Sequence, residues 1–142
     1  MIYELRRYET LPGKMAALNE IMEDLGIPIF KKLGMRLIGA WVPLVGDYNN
    51  ALQYILAWES MNERDEKWKA FFAHPDWIKG REEIGKKYGP VVDKEIHYFL
   101  EPTSYSPLPR RTSHSVMYGA VQVRSVVELA QHRVVFESVD GG

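Results

Sequence analysis

Three side chains in this sequence have the chemistry for proton transfer or anion recognition: Glu4 and Arg6, two residues apart, and His97 far along the chain. Residues i and i+2 of a strand share a face, so a strand at the start of the chain aims Glu4 and Arg6 the same way. A guanidinium held there offers a planar fork of donors to a carboxylate or a ligand anion. His97 falls in register with Glu95 and Phe99 on what reads as a closing strand. If Glu4, Arg6 and His97 converge, they place a titratable imidazole near a carboxylate, which is equipment for acid–base work. The competing readings are a structural Glu4–Arg6 ion pair and a histidine satisfied at an interface.

The tryptophans Trp41, Trp58, Trp68 and Trp77 suit a core, and the same residues suit a cavity between sheet and helices. Trp41, Tyr54, Trp58 and Trp68 are the candidate lining, which would accept a flat or apolar small molecule. Other motifs are accounted for by structure. His74 precedes Pro75 and reads as a helix terminus, and Ser60 reads as a helix cap rather than a nucleophile. No histidine pair has metal-helix spacing, no glycine-rich phosphate loop is present and there is no cysteine, so neither a metal nor a cofactor is expected.

These residues need elements to position them. Ile2 to Tyr8 alternates Tyr3 and Leu5 on one side with Ile2, Glu4, Arg6 and Tyr8 on the other, the period of a strand. After Leu11-Pro12-Gly13, the residues Met15, Leu18, Ile21, Met22 and Leu25 draw one helical stripe. Gly26 and Pro28 interrupt it, and Gly34 ends a further turn or two. Met35 to Val42 and Ala51 to Trp58 read as a hairpin across Gly46-Asp47-Tyr48-Asn49-Asn50.

Ser60 and Glu63 form a capping box, which predicts a helix with Trp68, Phe71 and Phe72 inward and the pairs Glu63–Lys67 and Asp65–Lys69 in water. His74-Pro75 stops that helix, and Pro75 can begin another with Trp77, Ile78, Ile84 and Tyr88 inward before Gly89-Pro90. Val91 to Leu100 supplies the last strand.

The order strand, helix, strand, strand, helix, strand is the split βαβ arrangement: an α+β, ferredoxin-like fold whose four-stranded antiparallel sheet carries helices on one face. Ala51 to Trp58 is apolar on both faces, so the second face of the sheet must also be covered. A second copy is the expected cover, giving a twofold homodimer through the sheet face. Beyond Pro102 the prolines read as an irregular arm, followed by possible strands at 115–123 and 133–139 and a helix near 125–132. His114 and His132 lie in that tail.

Bulk properties agree with one compact domain. The chain has 142 residues, 46% hydrophobic and 12% aromatic, and a formal net charge of −1. Near-zero charge argues against nucleic acid, and charges among the first residues with no long apolar run argue against a signal peptide or membrane span. A cytoplasmic protein is expected.

Met1-Ile2-Tyr3-Glu4-Leu5-Arg6 with Tyr8, Pro12-Gly13-Lys14, Gly39-Ala40-Trp41, Trp58-Glu59-Ser60 with Glu63-Arg64, and Pro75-Asp76-Trp77 resemble the small bacterial NIPSNAP proteins in order and spacing. The similarity spans about residues 1–106 and closes on Tyr105-Ser106-Pro107, which leaves 107–142 as an extension. The resemblance implies a dimeric α/β barrel, in which two ferredoxin-like sheets pack face to face. It implies no particular reaction, because bacterial members have no agreed activity and superfamily relatives include cofactor-independent monooxygenases, haem enzymes and proteins without known chemistry. Tyr54 and Leu56 stand where the family often has a histidine and a tryptophan. The resulting expectation is a homodimer binding a small, largely apolar molecule between sheet and helices. A monooxygenase- or isomerase-like enzyme and a ligand-free protein interaction module are the alternatives.

Overall fold

The computed structural model describes residues 1–110. The expected strands and helix at 115–139, and His114 and His132, lie outside them. Met1–Glu101 form one unit. Pro102 opens a second, whose described part turns where the Ser106 N–H donates to the Thr103 carbonyl.

The first unit is α+β. Strand β1 (Ile2–Thr10) is followed by α1 (Met15–Ile21), a wide π turn (Met22–Gly26) and α2 (Ile27–Leu33). Then come β2 (Arg36–Trp41), β3 (Ala51–Trp58), α3 (Met61–Ala73), α4 (Pro75–Tyr88) and β4 (Val92–Leu100). The sheet is antiparallel in the order β2-β3-β1-β4, the ferredoxin-like arrangement. Register places Arg6 opposite Tyr54 on one side and His97 on the other.

The core lies between one sheet face and the helices. Leu52, Tyr54, Leu56 and Trp58 of β3 meet Leu18, Ile29, Phe30, Trp68 and Phe71. The predicted interruption at Gly26 and Pro28 takes a milder form than a break. The chain widens into the π turn, where the Ile27 N–H reaches the Met22 carbonyl, and Pro28, which has no N–H to give, falls where that turn runs on into α2. Gly34 closes α2 with φ 67°, a left-handed conformation that a side chain disfavours.

The Ser60 hydroxyl accepts from the Glu63 N–H at 3.1 Å, as the capping box requires. The return bond lands one residue earlier, from the Glu59 N–H to the Glu63 carboxylate. Glu63 also binds Arg36 at 3.1 Å, and Lys67 donates to the Leu33 carbonyl, so these two side chains tie α3 to β2 and α2 rather than to each other. Asp65 likewise receives Arg64. His74 ends α3 and caps α4, its Nδ1 accepting from the Asp76 N–H at 3.1 Å.

Two residues expected inside are outside. Phe72 is 54% and Ile78 58% exposed, and α4 has no fully buried residue. The cause is layering: α4 packs against α3 and the π turn, so its apolar stripe is only half covered. Phe72 leans on the Trp68 and Trp77 rings instead of entering the core.

On the other sheet face, Ala51 and Ala57 are fully buried by flanking strands, and Leu5 and Ile55 are half-buried. Register with β1 puts Tyr98 and Leu100 of β4 on this face, and register with Gln53 puts Trp41 there. The Trp41 ring lies over Gly39, where a Cβ would fall 2.7 Å from it. Among the described residues, no helix is long and apolar enough to cross a membrane.

Candidate functional site

A cavity of about 190 Å³ lies between the sheet and the helices. Phe30, Tyr54, Trp68, Phe71 and Trp77 give it aromatic walls. Arg6 and Tyr8 of β1, Glu95 of β4 and Arg81 of α4 are the polar residues beside them in the lining.

Alternation along β1 sends Glu4, Arg6 and Tyr8 to the helix side, where burial would be costly without partners. Glu4 is fully buried and fully served. Its Oε1 accepts from Arg6 Nη1 at 2.7 Å and Arg64 Nη2 at 3.0 Å, and its Oε2 from the indole N–H groups of Trp58 at 2.9 Å and Trp68 at 3.1 Å. Burial alone would raise the Glu4 pKa, but hydrogen bonds from Arg64, Arg6 and Trp68 outweigh it and hold the carboxyl below its ordinary value.

Arg6, 4% exposed, lies with its guanidinium carbon 4.3 Å from the Trp68 ring centroid, and its Nε donates to the Tyr8 hydroxyl at 3.0 Å. Tyr8 and Tyr54 meet edge to face, with their hydroxyl oxygens 2.7 Å apart. Burial pushes both phenols upward in pKa, so both remain O–H donors at neutral pH.

The structure brings Glu4 and Arg6 into direct contact and sets His97 beside them through Glu95. His97 Nε2 is 3.4 Å and Arg6 Nη2 3.8 Å from Glu95 Oε2. Partial burial, then the Arg6 charge, lowers the His97 pKa despite Glu95. Of the four aromatic candidates, Tyr54 and Trp68 line the cavity. Trp58 is buried behind it as a donor to Glu4, and Trp41 lies on the opposite sheet face, 53% exposed.

Sequence reasoning missed Arg64 as a Glu4 partner and Tyr8 as a site residue. Tyr8 was detectable, since it shares the strand face of Glu4 and Arg6. Arg64 stands in the first turn of α3, and nothing local reveals that its side chain crosses to β1. Chemically, the site offers a fixed cation and bonded phenolic hydroxyls in the wall of an aromatic slot.

The NIPSNAP family model matches residues 3–107. Among solved structures, a NIPSNAP family protein of unknown function from Agrobacterium tumefaciens, Atu4242, is 28% identical. Its TM-score is 0.66, and the match covers 77% of this chain and 94% of that one. A second NIPSNAP family protein from the same organism, Atu5224, is 23% identical with a TM-score of 0.67, over 76% of this chain and 98% of the other. An uncharacterised NIPSNAP domain protein from Burkholderia xenovorans is 24% identical with a TM-score of 0.63, over 74% and 97%. The last two likenesses speak to the fold alone. No curated protein matches the sequence.

Proposed function

The chain belongs to the NIPSNAP family, and from that premise we propose that it binds a small, flat, largely apolar molecule in the cavity between sheet and helices, as a homodimer joined through the open sheet face. The carrying observation is the cavity itself: about 190 Å³, walled by aromatic rings, with a few polar side chains in the lining. A cavity of roughly 150 Å³ holds benzene, and drug-sized ligands need roughly 300 Å³ or more, so one or two rings is the matching size. The homodimer is supported by Trp41 and Tyr98, each 53% exposed on a face that also carries Leu5, Ile55 and Leu100.

Thermal shift tests the ligand. Benzene, indole and naphthalene should raise the melting temperature in a concentration-dependent way, because binding the folded state alone must stabilise it. Trp68 and Trp77 line the cavity and should report the same event by fluorescence. A flat response across all three probes in both readouts would remove the proposal.

One observation favours a second reading, an acid–base enzyme: Glu95 both lines the cavity and sits 3.4 Å from His97 Nε2. That reading expects His97→Ala to abolish turnover of a cavity-bound substrate while leaving its affinity in place.

A further inference from the structure

Arg6, Tyr8 and Tyr54 form a hydrogen-bond chain with one proton left over. Arg6 Nε donates to the Tyr8 oxygen at 3.0 Å, and the Tyr8 and Tyr54 hydroxyls share one bond at 2.7 Å. Two hydroxyl protons are present and the Tyr–Tyr bond uses one. Whichever tyrosine donates, the other hydroxyl keeps a proton that no acceptor among the described residues takes. Tyr54 is 1% exposed and both rings line the cavity. An orphaned donor at an apolar cavity wall is costly, and it is relieved by an acceptor placed in the cavity.

Either hydroxyl can be the donor of that bond, so the free proton belongs to whichever of the two accepts. Arg6 acts on both phenols, and a hydroxyl beside a cation is a better donor, so the free proton is a polarised one. A hydroxyl donor is thus presented to an aromatic slot. We infer that the Tyr8–Tyr54 pair is a subsite for an oxygen acceptor of the ligand, a carbonyl conjugated to a flat ring, seated by a hydrogen bond from the phenol whose proton is free, with Arg6 polarising the pair from behind. This rests on the cavity reading above and names the chemical class within it. Both phenols resist ionisation in their buried setting, so the donor persists through neutral pH. The aromatic walls contact the ring faces, and the Arg6 charge, already paired with Glu4, does not demand an anionic ligand.

Acetophenone and cumene test it, because they are close in size and cumene carries a methyl on a tetrahedral carbon where acetophenone carries the carbonyl oxygen. Single variants leave a free phenol, so the informative protein is Tyr8→Phe/Tyr54→Phe. Calorimetry should show acetophenone affinity falling about tenfold in the double variant while cumene affinity is retained. In the wild-type protein, the carbonyl stretch of bound acetophenone should lie below its frequency in hexane, a readout that stands even if the double variant does not fold. Cumene binding with an unshifted carbonyl stretch, or an unchanged acetophenone-to-cumene ratio in a folded double variant, overturns the subsite and leaves the cavity reading intact. If neither probe binds the wild-type protein, the cavity reading fails and the subsite with it.

Discussion

Trp58 Nε1 donates to Glu4 Oε2 at 2.9 Å, although the two residues stand 54 positions apart in sequence. Register explains the meeting: Ile2 pairs with Trp58 and Glu4 with Leu56, so Glu4 and Trp58 are diagonal neighbours on one sheet face. The bond is one of a set that includes Trp68, Arg6 and Arg64, and it makes Glu4 the point where β1, β3 and α3 are tied together.

Replacing Glu4 should therefore cost more than replacing any one of its donors. Glu4→Gln keeps the shape but leaves Arg6 buried beside a neutral amide, and breaking a buried pair this way costs about 3 kcal/mol. Arg64→Met, at the partly exposed end, should cost about 1 kcal/mol. Urea unfolding midpoints at constant slope measure both, and equal losses would show that Glu4 is not the organising group.

Acid should unfold the protein partly through the same carboxyl. Its folded pKa lies below the ordinary 4.5, so the stability it contributes is complete above that value and drains away as pH falls from 4.5 through the lower folded value. Unfolding free energies between pH 7 and pH 3 should show a shallower acid limb for Glu4→Gln than for wild type. Parallel limbs would assign acid unfolding to other groups.

His97 should titrate below 6.5, because partial burial and the Arg6 charge disfavour imidazolium. The unfolded chain takes up this proton first, so the His97 contribution declines as pH drops below 6.5. Proton NMR of the ring follows it directly. Glu95→Gln removes an influence that holds the pKa up and should lower it further. A rise in that variant would mean that Glu95 does not face the ring.

The proposed dimer separates two comparably exposed apolar residues. Tyr98 is 53% exposed on the open sheet face and Ile78 is 58% exposed on α4. In sedimentation equilibrium, Tyr98→Glu should weaken association at least tenfold, about 1.4 kcal/mol, and Ile78→Glu should leave it unchanged. The reverse result would move the interface to the helices.

The strand and helix order was legible because each element carries its own punctuation: Pro12-Gly13, Gly34, the Ser60–Glu63 cap and His74-Pro75 all do locally what their chemistry dictates. Glu4 and Arg6 were legible as neighbours because strand alternation is a local rule. Arg64 and Trp68 were not legible as their partners, since both arrive from α3, and sequence periodicity says which face a residue occupies without saying what will cover it. Phe72 and Ile78 mislead for the same reason. Their spacing marks an apolar stripe, but α4 stacks on α3 and leaves that stripe half open.

The wide turn at Met22–Gly26 sets how the helical arm beside the cavity tolerates a change of length. A π turn holds one more residue than the α turn it replaces, so losing one position there can close it to a regular turn, whereas losing one between Ile27 and Phe30 turns the rest of α2 by about 100° and would swing Phe30 away from Tyr54. The loop at 42–50 is anchored on β1 at its far end, where Asp47 meets Arg7, Tyr48 donates to the Thr10 carbonyl and the Asn50 carbonyl accepts from Thr10. Insertions and deletions among relatives should fall ahead of Asp47 or within the wide turn, and be purged from α2.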